Sequence, residues 1–326
     1  MTLFIRTQAS AQIGMGHFMR CFAIAEAARQ RNIPVTFLLD ALDAATFERI
    51  MSIGAEGQAT GVPVAGEGDL EGVQIAAADW LLIDSYDATA EYLYALKDRV
   101  HSVVIDDLNA LDSYACNLLI NPALSASTMS YEAKTDARLL LGPAYALIRR
   151  EFTRPYPVSM KGPSIAVMFG GSDPLNLTGK VSEILHHALP DTIIKVIAGP
   201  ANTHTNDLKA LEKQLQNMRL YVSPPNIAEA LAGSYLVVTA AGGSIGEVAA
   251  MALPALVLVV YDNQKAALAA CPYPVIDIRA GLPEDFADQA ATLMNDAAER
   301  VRIAAHAHTL VDGQGPARIL EAMCDV

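Results

Sequence analysis

Short apolar runs recur along the chain without the polar alternation of a half-exposed strand. The first half carries LFIRT, VTFLL, WLLID and SVVID, the second SIAVMFG, IIKVIAG, LYVSP, YLVVTAA and ALVLVV. Runs apolar on both faces are what a parallel sheet covered by helices on either side requires. Between them lie stretches with helical spacing: HFMRCFAIAEAARQR, ATAEYLYALKDR, NLTGKVSEILHHAL and IGEVAAMA. The alternation predicts a doubly wound α/β fold.

The rhythm breaks once, at RREFTRPYPVSMKGPS (Arg149 to Ser164), where prolines and charges mark a linker. Two Rossmann-like domains are expected, 1–155 and 156–326, facing each other across a cleft that suits a ligand with two chemically different ends. The closing helix GPARILEAM follows the Gly-rich break LVDGQG and is expected to cross back to the first domain.

With 326 residues, 52% hydrophobic and 18% charged, the chain can build large cores and holds little disorder-prone sequence. Its net charge of −13 argues against nonspecific nucleic-acid binding, which needs a basic surface. A local helix terminus can still attract an anion. The four cysteines contain no C-x-x-C pair, so neither a disulfide framework nor a zinc site is expected, and a cytoplasmic setting is. The start MTLFIRTQAS lacks the pattern of a signal peptide, and no apolar run approaches the ~20 residues of a membrane helix.

Candidate chemistry begins at IGMGHFMRC, just after the first apolar run. Gly14 and Gly16 fit the start of a dinucleotide fingerprint, and Asp40 imitates its ribose-binding acid. The third glycine position is Met19, however, and His17 would occupy the pyrophosphate's place, which argues against that reading. Glycines there let backbone approach a ligand. His17 falls in the first helical turn, whose partial positive charge favours neutral imidazole, and Arg20 one turn on pushes the same way. A neutral histidine is what a general base requires. For an isolated G-x-G-H, a histidine capping its own helix is an equally good reading.

A second turn, FGGSDPLNLT, ends another strand in two glycines, with Ser172 or Asp173 placed to cap a helix starting at Pro174. A third, TAAGGSIGEVAA, would present the amides of Gly242 and Gly243 and the hydroxyl of Ser244 to a diphosphate at a helix start. Glu247, one turn inside, could take two ribose hydroxyls. In YDNQKAALAA, capping explains Asn263 but not its pairing with Gln264, and both could bind a sugar. The acidic stretches DSYD and IDDL read first as strand-end caps rather than a metal pair; Tyr86 is the exception, with a hydroxyl able to reach a ligand. The pairs His186–His187 and His306/His308 have no acid or cysteine at ligand spacing.

Taken together, IGMGHFMRC, IDSYDATAEYLYAL, VVIDDL, NPALSASTMSY, LLLGPAYALIRREF, FGGSDPLNLT, AAGGSIGEVAAMALPALVL, the NQ pair and DGQGPARI occur in an order that resembles one family. It is the UDP-2,4-diacetamido-2,4,6-trideoxy-β-L-altropyranose hydrolase family of pseudaminic acid biosynthesis. The Gly-Gly-Ser…Glu pattern is shared with the peptidoglycan N-acetylglucosaminyltransferase group. The resemblance implies a GT-B fold, a UDP-sugar substrate and attack of water at the anomeric carbon with inversion. It implies no cofactor and no metal, and a monomer or weak oligomer is expected. It places His17 as the base, Ile227 near uracil, Gly243 and Ser244 at the phosphates and Glu247 at the ribose. Tyr86, Asn176, Asn263 and Gln264 match positions near the sugar or diphosphate, and Arg149 matches a family arginine.

The chain departs from the pattern at CPYPVIDIRAG, where prolines replace expected helix on the sugar-facing side. A glycosyltransferase would share the fold and nucleotide site, but would need an apolar or basic membrane-docking face that the first domain lacks. A silent nucleotide-sugar binding protein would keep Gly243, Ser244 and Glu247 yet have no use for His17.

Overall fold

The computed structural model describes residues 1–9, 15–157 and 162–325. It contains two compact units, Met1–Arg150 with Gly313–Val326, and Glu151–Asp312. In the first, seven parallel strands are β1 (Leu3–Thr7), β2 (Val35–Leu39), β3 (Glu56–Ala59), β4 (Trp80–Asp84), β5 (His101–Ile105), β6 (Leu118–Asn121) and β7 (Arg138–Leu141). Their order is β3-β2-β1-β4-β5-β6-β7, so the direction of winding reverses between β1 and β4. Between its strands this unit carries α1 (Gly16–Gln30), α2 (Ala44–Ser52) and α3 (Ala90–Leu96).

The second unit repeats the plan with β8 (Ser164–Met168), β9 (Ile193–Ala198), β10 (Met218–Val222), β11 (Leu236–Ala240), β12 (Ala255–Val259) and β13 (Val275–Asp277). Their order β10-β9-β8-β11-β12-β13 reverses between β8 and β11. Its helices are α4 (Leu177–Ala188), α5 (Thr205–Gln214), α6 (Ile227–Leu231), α7 (Ser244–Ala250), α8 (Ala267–Ala270), α9 (Phe286–Asn295) and α10 (Ala297–Leu310). The last helix, α11 (Gly315–Cys324), belongs to the first unit. This is the expected doubly wound α/β fold, with both sheets parallel throughout. No helix among the described residues is long and apolar enough to cross a membrane.

The two-residue period of a strand sorts the first unit's apolar runs into two cores. Leu3, Ile5, Trp80 and Leu82 join Phe18, Phe22 and Ile24 of α1 and Ile319, Leu320 and Met323 of α11 on one face. Phe4, Leu81 and Ile83 join Leu93 and Leu96 of α3 on the other. Full burial is worth roughly 1.5–3 kcal/mol for each large aliphatic side chain, so α11 contributes substantially to the first core. It docks closely: a Cβ added to Gly315 would lie 2.2 Å from the carbonyl oxygen of Ala146 and 2.7 Å from the carbonyl carbon of Tyr145.

The period also puts a charge where the second core should continue. Arg6 is fully buried. Its guanidinium pairs with Asp69 at 2.9 Å and Asp40 at 2.7 Å and donates to the carbonyl oxygen of Val62 at 2.7 Å. Tyr92 donates to the second oxygen of Asp69 at 2.8 Å, so the loop from Val62 to Asp69 is strapped onto the sheet. Asp40, which in sequence imitated a ribose-binding acid, is taken up by Arg6 and by Gln8 Nε2 at 3.2 Å.

Two stability predictions follow from this packing. Gly315→Ala forces backbone apart at the α11 contact and should lower stability by about 1–3 kcal/mol, read as a fall in the urea midpoint. Arg6→Met strands the buried Asp69 carboxylate and should cost about 3–5 kcal/mol by the same measurement.

Candidate active site

The reversal of strand order between β1 and β4 is where doubly wound sheets bind ligands, because the flanking helices diverge there. Thr7, the last residue of β1, is paired in register with Asp84, the last residue of β4. Thr7 Oγ1 donates to the backbone carbonyl of Asp84 at 3.0 Å and fixes that strand end. Trp80, Leu82 and Asp84 share the face toward α1, so the Asp84 carboxylate meets the first turns of that helix. Gly16, His17, Arg20 and Cys21 lie there.

Asp84 is fully buried and surrounded by donors. Its Oδ1 lies 2.7 Å from His17 Nδ1 and 2.5 Å from an Arg20 terminal nitrogen. Its Oδ2 accepts from Arg20 Nε at 2.6 Å and from Cys21 Sγ at 3.3 Å. Burial alone would raise the carboxyl, but the hydrogen bonds and charge of Arg20, with His17, outweigh it and hold Asp84 below the usual range. Burial likewise opposes the Arg20 charge, and Asp84 and Asp107 outweigh that too. The Cys21 thiol is pushed well up by burial and then by Asp84, which leaves it inert.

Arg20 reaches onward to Asp107 Oδ2 at 2.8 Å, and the Tyr86 hydroxyl donates to the same oxygen at 3.2 Å. The Tyr86 ring stands edge-on to His17, with centroids 4.6 Å apart. Burial, then the neighbouring Asp107 charge, raises the Tyr86 phenol, so it stays a hydroxyl donor. His17 is 8% exposed, and its Nε2 has no hydrogen-bond partner among the described residues. The arrangement offers one imidazole nitrogen for proton transfer while the other faces a carboxylate.

Several expectations change here. Arg20 gives no free positive charge, because it faces two carboxylates; nor does the helix terminus act alone on His17, since Asp84 lies against Nδ1. The stretches DSYD and IDDL each divide. Asp87 accepts from Gln8 at 2.6 Å, and Asp106 accepts from the hydroxyls of Tyr131 at 2.5 Å and Tyr114 at 3.0 Å, as structural residues do. Asp84 and Asp107 instead join His17. Reading each as a strand-end cap missed them; the register of two parallel strands at a reversal would have paired Asp84 with Thr7. Gly14 lies outside the described residues. At Gly16 nothing among the described residues lies within 4 Å of an added Cβ.

In the second unit, both Gly-rich turns follow the strands that flank its own reversal, β8 and β11. Gly170 is left-handed (φ +77°), and an added Cβ on Gly199 would come within 2.5 Å of Gly171 Cα, so two loops interlock there. The helix after this turn starts at Leu177 rather than Pro174. Asp173 accepts from the amides of Leu177 at 2.9 Å and Thr178 at 2.8 Å, and Asn176 is the N-cap, accepting from Gly179 at 3.3 Å. At Gly242 and Gly243 no positive φ and no close neighbour demands glycine, so the space they leave is open among the described residues. Ser244 opens α7, and Glu247 is in its first turn.

Ile227 opens α6, with its amide donating to Glu151 at 3.1 Å. Gln264, not Asn263, does the capping after β12: its Oε1 accepts from Val260 N at 2.8 Å and Tyr261 N at 3.3 Å. The divergent CPYPVIDIRAG stretch supplies β13 and Arg279, which pairs with Asp277 at 2.5 Å and Asp262 at 2.6 Å beside Asn263. Arg149 is partly buried in the first unit. His186 and His308 bond to Asn217 Oδ1 at 2.5 Å and the Ala249 carbonyl at 3.0 Å. Among the described residues no cluster of three or more His, Cys, Asp or Glu is placed to hold a metal ion.

No family model matches the chain. It is 23% identical over 278 residues to an uncharacterized protein of Methanocaldococcus jannaschii, covering 81% of this chain. It is 26% identical over 258 residues to the UDP-2,4-diacetamido-2,4,6-trideoxy-β-L-altropyranose hydrolase of Campylobacter jejuni, covering 76% of this chain. A Helicobacter pylori protein, named as pseudaminic acid cytidylyltransferase and the same hydrolase, is 23% identical over 201 residues, 60% of this chain. The chain spans 56% of the Methanocaldococcus protein, 36% of the Helicobacter one and 87% of the Campylobacter one. Among solved structures, Acinetobacter baumannii MurG superposes with a TM-score of 0.65 at 11% identity, covering all of both chains. Staphylococcus aureus MnaA with UDP gives 0.65 at 13%, covering 98% of this chain and 95% of its own. The calicheamicin glycosyltransferase CalG4 gives 0.61 at 14%, covering 99% and 98%. The fold is therefore of the GT-B type, and the sequence carries weak homology to proteins named as UDP-sugar hydrolases.

Proposed function

We propose that this chain is a nucleotide-sugar hydrolase that releases UDP from UDP-2,4-diacetamido-2,4,6-trideoxy-β-L-altropyranose. The observation that carries this reading is His17: a nearly buried imidazole at the strand-order reversal, flanked by Asp84, Arg20 and Tyr86. A protein that only bound a nucleotide-sugar would have no need of an imidazole oriented by a buried ion pair. The weak homology to two proteins bearing the hydrolase name supports the substrate class.

In this reading a water oxygen attacks the anomeric carbon as the bond from that carbon to the phosphate oxygen breaks. The bonding pair leaves with UDP, and His17 takes the water proton. Attack opposite the leaving group inverts the anomeric centre. Gly242, Gly243 and Ser244 are assigned to the diphosphate, with backbone amides and a hydroxyl to meet its charge. Glu247 is assigned to the ribose hydroxyls and Ile227 to the uracil. Asn176 and Gln264 each spend the side-chain oxygen on a cap, so their amide NH₂ groups are the parts assigned to the sugar or diphosphate; Asn263 and Tyr86 carry the same assignment.

Incubating the purified protein with the UDP-sugar, without any acceptor, and following phosphorus and anomeric proton NMR tests the reading. Release of UDP with an inverted anomer is the expected result. Release only when an acceptor sugar is added identifies a glycosyltransferase, and retained UDP-sugar without turnover identifies a binding protein. His17→Phe should lose about 10²–10⁴-fold in turnover while UDP affinity persists; near-normal hydrolysis by this variant removes His17 as base. Because the amides of the second unit are assigned to the leaving group, full activity is expected in EDTA, with restoration only by an added divalent ion as the contrary result.

A further inference from the structure

Two heavy atoms converge on Nδ1 of the His17 ring. Nδ1 lies 2.7 Å from Asp84 Oδ1 and 3.2 Å from an Arg20 terminal nitrogen, and that nitrogen lies 2.5 Å from the same Asp84 oxygen. Two neutral imidazole tautomers compete for this site. With the proton on Nδ1, the ring donates to Asp84. With the proton on Nε2, the Nδ1 lone pair faces both the Arg20 donor and the Asp84 oxygen.

The distances and charges decide between them. An ionised carboxylate has no proton to give, and the Arg20 ion pair keeps Asp84 ionised. A bare Nδ1 lone pair 2.7 Å from that oxygen would set two acceptors against each other at hydrogen-bond distance. The compensating contact from Arg20 is the longer one, and its donor already serves Asp84. Arg20 cannot lose its proton to reverse this balance. Asp84 cannot swing away either, since its other oxygen is held by Arg20 Nε at 2.6 Å and by Cys21.

We propose that Asp84, locked by Arg20, is a positioning residue that fixes His17 as the Nδ1–H tautomer and so leaves the lone pair on Nε2. This deepens the reading of His17 as the base and rests on it for its catalytic meaning. Nε2 becomes the atom that accepts the water proton, and the imidazolium then formed keeps its Nδ1 hydrogen on a carboxylate. Arg20 therefore acts on catalysis through Asp84, which it holds with two nitrogens.

The tautomer can be read in the resting protein without any UDP-sugar. Imidazole ¹⁵N spectra of the labelled full chain, taken at about pH 8.5, some two units above the ordinary histidine value, would resolve it. The His17 signals are those lost in His17→Phe. A protonated Nδ1 with a bare Nε2 is the expected pattern. A protonated Nε2, alone or together with Nδ1, overturns the proposal. The second arm is Asp84→Asn, whose amide can turn its NH₂ toward Nδ1 and admit the other tautomer. It should shift the His17 signals toward protonated Nε2 and lower kcat by 10²-fold or more with UDP affinity retained. Unchanged signals and kcat in a folded Asp84→Asn protein overturn the proposal. If that variant does not fold, the wild-type spectrum still decides. A wild-type protein that shows the Nδ1–H tautomer yet releases no UDP sinks the hydrolase reading alone.

Discussion

An ionised carboxylate shut away from water costs several kcal/mol unless its surroundings replace the lost hydration. Asp84 meets that cost at the end of β4, where a fully buried aspartate gathers two guanidinium bonds, one imidazole and one thiol. Each donor comes from the first two turns of α1, so the same contacts that satisfy the charge also seat that helix on the sheet. The orientation of His17 is thus a by-product of solvating an anion. Loosening any one of these donors leaves part of the buried carboxylate's charge unmet, so each contact supports the others.

The same logic separates the two buried guanidinium systems of the first unit. Arg6 sits on one face of the sheet, with Asp40, Asp69 and Tyr92 closing around it, and it ties a loop to strands. Arg20 sits on the other face and ends in Asp107 and Tyr86, which are partly open to solvent or exposed. One is a structural clamp between a loop and the sheet, closed on the buried Asp69. The other points its chemistry outward through Tyr86 and His17.

Much of this architecture was legible in the residues. Runs such as LFIRT and WLLID fit strands covered on both faces once they alternate with helical stretches, as they do here. The edge strand β3, EGQA, was not legible, because it is half polar and exposed, and β13 has only three residues, directly after Pro272 and Pro274. The strands β6 and β7 lie among short 3₁₀ turns that break the periodic signal. Asp84 escaped because an aspartate at a strand end is ordinarily a cap, and only strand order reveals that it abuts α1. Arg20 escaped in a different way: sequence gives a charge but not its counter-charges. The same holds for Gln264, whose capping depends on a backbone geometry that no spacing announces.

The return of α11 to the first unit has a consequence for biogenesis. The second unit is one uninterrupted segment, Glu151–Asp312, whereas the first is split and includes Gly313–Val326. On the ribosome the later-starting half therefore has its whole chain before the earlier one does. Until α11 emerges, the face of the first sheet that carries Phe18, Phe22 and Trp80 lacks Ile319, Leu320 and Met323. The half that bears His17 would thus be completed after the other, with the core beneath α1 left open on the nascent chain until α11 docks.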